Sequence, residues 1–111
     1  MSNLIRTFAA LSDQTRFAVV ERLMAEGELP AGALVQGADM SAPAMSRHLK
    51  VLREAGLIAQ RIDGTKRLYS MRPEGLRALA DWTMNHRALW EAGMDRLDTM
   101  LTLDEEGTDD G

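Results

Sequence analysis

The chain has 111 residues, 13 Lys+Arg against 17 Asp+Glu for a formal charge of −4, and no cysteine. Its length predicts one domain of ordinary size, and 45% hydrophobic with 27% charged residues is a globular composition. The missing cysteines exclude disulfides, thiolate zinc sites, iron–sulfur clusters and thiol redox sensing, while the acidic sum on its face opposes a nucleic-acid partner.

No apolar run reaches the roughly 18–20 residues of a membrane span. Asn3, Arg6, Ser12 and Asp13 interrupt any apolar signal segment at the start. The expectation is a cytoplasmic protein with no membrane partner. In chain order, Leu4, Ile5, Phe8 and Leu11 predict a short helix over residues 3–11. Ser12 reads as the N-cap of a second helix, with Asp13 in its first turn. Phe17, Val20, Leu23 and Met24 form that helix's apolar stripe, and Gly27 stops it. Leu29-Pro30 breaks the chain, because proline removes a donor and restricts its neighbour. A short helix over about 31–37 carries Leu34 and Val35. Ala38-Asp39-Met40 turns, and Ser41 caps a helix over about 41–55 with Pro43 in its first turn.

The period then changes from helix to strand. Residues 57–62 and 66–71 read as strands joined by an Asp63-Gly64 turn. Pro73 opens a last helix that reaches toward Leu103, with a possible break at Met84-Asn85. The predicted domain is 1–103, followed by an acidic, disordered tail over 104–111. The fold class is mainly α with a small β-hairpin wing (α+β): a winged helix-turn-helix, with the recognition helix at about 41–55 and the wing at about 57–71.

The charge follows this organisation. Residues 41–72 hold seven bases against Glu54 and Asp63, a local +5; residues 104–111 alone hold −5. A contiguous basic third points to a polyanion-binding face, against the plainer reading of a solvated face. In the 41–55 helix, Met45, Leu49 and Leu52 form a buried stripe, while Pro43, Arg47 and Lys50 project opposite with Ser46 beside them.

The stretch Phe8-Ala9-Ala10-Leu11-Ser12-Asp13-Gln14-Thr15-Arg16 resembles the opening signature of ArsR-type transcriptional regulators. Residues 46–58, from Ser46-Arg47-His48-Leu49-Lys50 to Gly56-Leu57-Ile58, are similar to the family's recognition helix and the start of its wing. Arg61 through Met71, with Asp63-Gly64 and Tyr69-Ser70, resembles the wing itself. The resemblance covers about residues 4–103. It implies a sequence-specific DNA-binding regulator, usually a repressor, that binds a pseudo-palindromic operator as a homodimer formed by the first and last helices.

The family's base-reading positions fall on Ala42, Pro43, Ser46 and Arg47. The first is often a glutamine in the family; Ala42 lacks its paired hydrogen bonds, but Ala42 and Pro43 can touch a thymine methyl. Arg47 is then the expected guanine reader, with a phosphate clamp or a solvated arginine as its plainer roles. Ser41, with Arg61, Gly64, Thr65, Lys66 and Arg67 of the wing, is assigned to the DNA backbone, and His48, Lys50 and Arg53 to backbone phosphate contact or helix orientation; the wing's plainer reading is a solvated hairpin. Leu4, Ile5, Phe8, Trp82, Trp90, Met94, Leu97 and Leu101 are assigned to the dimer interface; the last helix carries the 4-3-4 spacing of a seam.

Many family members sense metals, but the cysteine box is absent here. Asp81, His86 and Glu91 stand five apart, which does not place them on one helix face. The expectation is no metal, no cofactor and no evident thiol sensing, with a small-molecule inducer left open. One such form is an apolar ligand held at the dimer helices by Trp82, Trp90 and Met94, although the stripe is more simply core or seam. Without a nucleophile triad, a Gly-rich phosphate loop or a histidine cluster, the chain does not read as an enzyme. A winged helix used as a protein–protein adaptor is the remaining alternative. It would more plausibly show an apolar anchor than small residues and cations at the helix start.

Overall fold

The computed structural model describes the backbone of residues 2–109 and the side chains of residues 4–102. The order is α1 (Ser2–Leu11), α2 (Gln14–Glu26), β1 (Leu29–Pro30), α3 (Ala31–Gln36), α4 (Ala42–Glu54), β2 (Ile58–Asp63), β3 (Lys66–Met71), α5 (Pro73–Asn85) and α6 (Arg87–Asp109). The chain divides into two compact units, Met1–Leu79 and Ala80–Gly111. Residues 73–79 of α5 belong to the first unit, where Leu76 packs against the core; among the described residues neither α5 nor α6 holds a fully buried side chain.

That core joins α2, α3, α4 and the sheet. Val19, Val20 and Leu23 of α2 meet Leu34 of α3, the Met45–Leu49–Leu52 stripe of α4, and Leu57, Ile58 and Tyr69. The α4 stripe is buried as its spacing predicts, with Leu52 fully inaccessible. On α2 the buried face is rotated from the predicted one. Val19 and Leu23, one turn apart, point inward, while Phe17 and Met24 remain about half exposed.

Two caps differ from expectation in an instructive way. Asp13, not Ser12, caps α2: its Oδ2 accepts from Arg16 N at 3.0 Å. The Ser12 hydroxyl instead donates to Ala9 O at 2.6 Å and closes α1. Both residues favour N-caps, and only the register of the turn decides between them. Ser41 caps α4 as predicted, its Oγ accepting from Ala44 N at 3.3 Å.

The sheet has three strands in the order β1-β3-β2, all antiparallel. The predicted chain break at Leu29-Pro30 is in fact an edge strand, pairing Leu29 with Tyr69 and Pro30 with Leu68. Two residues show no periodicity, and proline is admissible at an edge because it owes no ladder donor there. In the hairpin, Asp63 pairs with Lys66, so the turn residues are Gly64 and Thr65, one later than expected. Gly64 has φ +65°, and among the described residues no residue other than glycine, Thr65 included, has positive φ, the sign pattern of a type II′ turn.

The break in the last helix falls between Asn85 and Arg87. The backbone of α6 runs through Asp109, past Leu103; the side chains of the predicted acidic tail, 104–111, lie outside the described residues. At the start of α5, Gly75 rests on the backbone of Gly56 and Leu57, where an added Cβ would fall 3.1 Å from Leu57 Cα and closer still to Gly56 O. Neither neighbour is a flexible side chain, so the backbone itself would have to move. Gly75→Ala is expected to cost about 1–3 kcal/mol, read as a lowered midpoint in urea unfolding.

Candidate nucleic-acid interface

Helices α3 and α4, joined across residues 37–41, form a helix-turn-helix, and β2–β3 project beside them as a wing. The stripe Met45, Leu49 and Leu52 locks the back of α4 into the core. Its front therefore faces out: Ala42, Pro43, Ser46 and Arg47 are all exposed. At the wing, Gly64, Thr65, Lys66 and Arg67 are exposed as well. An open cleft of about 330 Å³ lies between the two, lined by Ala42, Ser46, Arg67 and Tyr69 among others.

The charges separate into held and unheld groups. Among the described residues, no hydrogen bond or ion pair engages the side chains of Arg47, Lys66 or Arg67. Lys50 stands 4.0 Å from Glu54, a loose exposed pair of little energetic weight. The other predicted backbone contacts have partners of their own. Ser41 is occupied as the α4 cap. Arg53 reaches Gln60 of β2, whose amide in turn donates to the Tyr69 hydroxyl at 3.2 Å. Arg61 makes a two-pronged pair with Glu28, Nε to Oε2 and Nη2 to Oε1, both at 2.7 Å.

His48 is half-buried and joins α4 to the start of α2. Its Nδ1 lies 3.2 Å from Arg16 Nη1 and 3.7 Å from Asp13 Oδ2. Arg16 also donates from Nε to Ala10 O at 2.8 Å, so one guanidinium ties α1, α2 and the recognition helix together. The hydrogen bond from Arg16 N holds the Asp13 carboxyl below the usual carboxylate range, aided by the nearby Arg16 charge. The guanidinium of Arg61 does the same to Glu28, and Glu28 raises Arg61 in return. Sequence reading gave no role to Asp13 beyond a first-turn charge, or to Arg16, Glu28 and Gln60. Glu28 and Arg61 lie 33 residues apart, so no local pattern could pair them.

In the second unit, α5 and α6 present Trp82, His86 and Trp90 together. Trp82 and Trp90 meet edge to face with centroids 5.9 Å apart, and His86 Nδ1 donates to Trp82 O at 2.7 Å. Trp90, Met94, Leu97 and Leu101 are 45–60% exposed. In the first unit, Ile5 and Phe8 of α1 are exposed too, whereas Leu4 is half-buried. Among the described residues no group of three or more His, Cys, Asp or Glu side chains is placed to hold a metal ion, and no helix is long and apolar enough to cross a membrane.

A core-locked helix with a small, basic front, flanked by a basic hairpin, defines a winged helix-turn-helix DNA-binding protein. A helix-turn-helix domain model matches residues 11–61. Over 74 residues the chain is 50% identical to the HTH-type transcriptional regulator Rv2034 of Mycobacterium tuberculosis, covering 67% of this chain and 68% of that one. The crystal structure of an ArsR family transcriptional regulator, RHA00566, superposes with a TM-score of 0.73 at 31% identity, over 81% of this chain and 92% of that one. A homodimeric winged helix-turn-helix domain from Mycobacterium bovis, Mb0332, superposes with a TM-score of 0.63 at 26% identity, over 78% and 82%. The chain belongs to the ArsR family of winged helix-turn-helix transcriptional regulators. It is a DNA-binding regulator and not an enzyme.

Proposed function

We propose that the chain acts in the cytoplasm as a homodimeric repressor of a pseudo-palindromic operator. Two copies of α4 enter successive major grooves about one or two helical turns apart. Ala42, Pro43, Ser46 and Arg47 face the bases, and the wing meets phosphate. The observation that carries this reading is the set of unheld cations, Arg47 on the helix and Lys66 and Arg67 on the wing, in a block whose other basic residues each stand beside an acid or an amide. The exposed apolar side chains of α6, and the homodimeric state of the Mb0332 domain, support the pairing of two copies. A small-molecule inducer would act by changing the spacing of the two α4 helices. The Trp82–Trp90 pair supports an apolar ligand over a metal as its chemistry.

The test is a DNA selection from a random-sequence pool, followed by titration of the selected duplex at several salt concentrations. A palindromic consensus with two copies bound is expected. Replacing both Lys66 and Arg67 by alanine should weaken binding and flatten the slope of log K against log salt by about 3.6, two phosphates in each of the two copies at roughly 0.9 each. An unchanged slope would remove the wing from the interface, and absence of any consensus would favour the adaptor reading.

A further inference from the structure

The two faces of the wing are not equivalent. Residues directly opposite across an antiparallel pair share a face, and that face alternates along the strand. Gln60 opposes Tyr69 and Ile62 opposes Arg67, so these four share one face. It is the face turned to α4: Tyr69 and Arg67 line the cleft beside Ala42 and Ser46, and Arg53 of α4 reaches Gln60. Ile62, at 71% exposure, is the most open of the large apolar side chains described and stands there beside Arg67.

The other face carries Arg61, Leu68 and Pro30 in one row across the three strands. Strands β1 and β2 flank β3, so they lie about 10 Å apart. Glu28, immediately before β1, reaches across this distance to Arg61 on β2. The fork of the guanidinium meets both carboxylate oxygens, a geometry that fixes direction as well as distance. Glu28 thereby joins the outer strand of the wing to the body of the domain.

We propose that Glu28 and Arg61 form a clamp that sets the wing's attitude to the recognition helix, and that Arg61 is a positioning residue rather than a phosphate contact. DNA meets the wing through the opposite face and the hairpin tip: Arg67 and, at the tip, Lys66 neutralise phosphate, and Ile62 makes an apolar contact with the sugar edge of the groove. This rests on the wing meeting DNA, as proposed above. An exposed ion pair adds little to global stability. The clamp is therefore legible in DNA binding, through the cost of ordering an unclamped hairpin on the duplex.

The experiment uses the full chain and the duplex it selects. Arg61→Glu is expected to weaken binding by about 3- to 10-fold. The charge swap Glu28→Arg with Arg61→Glu should recover the wild-type Kd to within about twofold, because the clamp is rebuilt with its ends exchanged. Arg61→Gln should leave the salt slope unchanged, whereas Arg67→Gln should flatten it by about 1.8, one phosphate in each of the two copies. A swap as weak as Arg61→Glu alone, or a flattened slope in Arg61→Gln, overturns the clamp and makes Arg61 a phosphate contact. An unchanged slope in Arg67→Gln overturns the assigned DNA face. With rescue by the swap, that result would fault the wing's contact with DNA and not the clamp. Thermal unfolding of each variant, expected to match wild type, separates these outcomes from a loss of fold.

Discussion

Arg47→Ala is expected to reduce discrimination between the selected duplex and variants at one guanine position by about 5- to 150-fold, the equivalent of 1–3 kcal/mol. Non-specific affinity should change far less. Arg47 sits one turn into α4, and Pro43, Ser46 and Arg47 are exposed around it. Its helix cannot roll to hide it, because Met45, Leu49 and Leu52 are almost wholly buried on the opposite side. No acid holds it among the described residues, so it spends no partner on approaching DNA. A guanidinium can donate to O6 and N7 of guanine together, which no other base offers in that arrangement. The neighbours are small, Ala42, Ala44 and Ser46, and let the helix lie close to the groove floor. A phosphate-clamping Arg47 would behave differently. All sequences would then lose affinity alike, and the salt slope would flatten by about 1.8, one phosphate in each of the two copies. Titration of wild type and variant against matched and mismatched duplexes separates the two outcomes.

The features legible in the sequence were those written locally. The buried stripe of α4 follows from a 4-3 spacing, its start from Ser41 and Pro43, and the hairpin from a glycine that tolerates positive φ. The basic block was legible for the same reason, since its residues are contiguous. Features that depend on long-range geometry were not. β1 is two residues long and exists only because Tyr69 and Leu68 offer it a partner. The side-chain partners of the cations were not legible either: Glu28 pairs with Arg61, and the neutral amide of Gln60 accepts from Arg53. The helix-orienting role open to His48 in the sequence gains its partners only in the fold, where the ring is turned to Arg16 and Asp13. The −4 total is therefore a poor guide twice over. It hides a contiguous basic block, and it says nothing of which cations in that block have partners of their own.

Met94→Glu with Leu97→Glu is expected to convert a dimer into a monomer and to cost about 100- to 10,000-fold in affinity for the full palindrome. Helix α6 has no buried side chain among those described, yet it carries Leu89, Trp90, Met94, Leu97, Met100 and Leu101 at 45–62% exposure. An isolated helix with that much apolar surface is unfavourable in water, and packing of the face is what normally stabilises such a helix. Trp90, Met94, Leu97 and Leu101 recur at four, three and four residues, the spacing that keeps one seam turned to a partner helix. Glutamate is chosen because it is a good helix former, so α6 should survive while its seam does not. Two carboxylates per copy, brought against their symmetry mates, would be desolvated without a cation to meet them. Sedimentation at micromolar concentration should show monomer, with helical circular dichroism retained. Affinity for a half-site should be nearly unchanged, since α4 and the wing are untouched. A variant that still sediments as a dimer would place the contact between copies elsewhere. A variant that is monomeric yet binds the full palindrome as tightly as wild type would show that each copy reads its half-site alone, and the pairing of two α4 helices would no longer explain operator recognition.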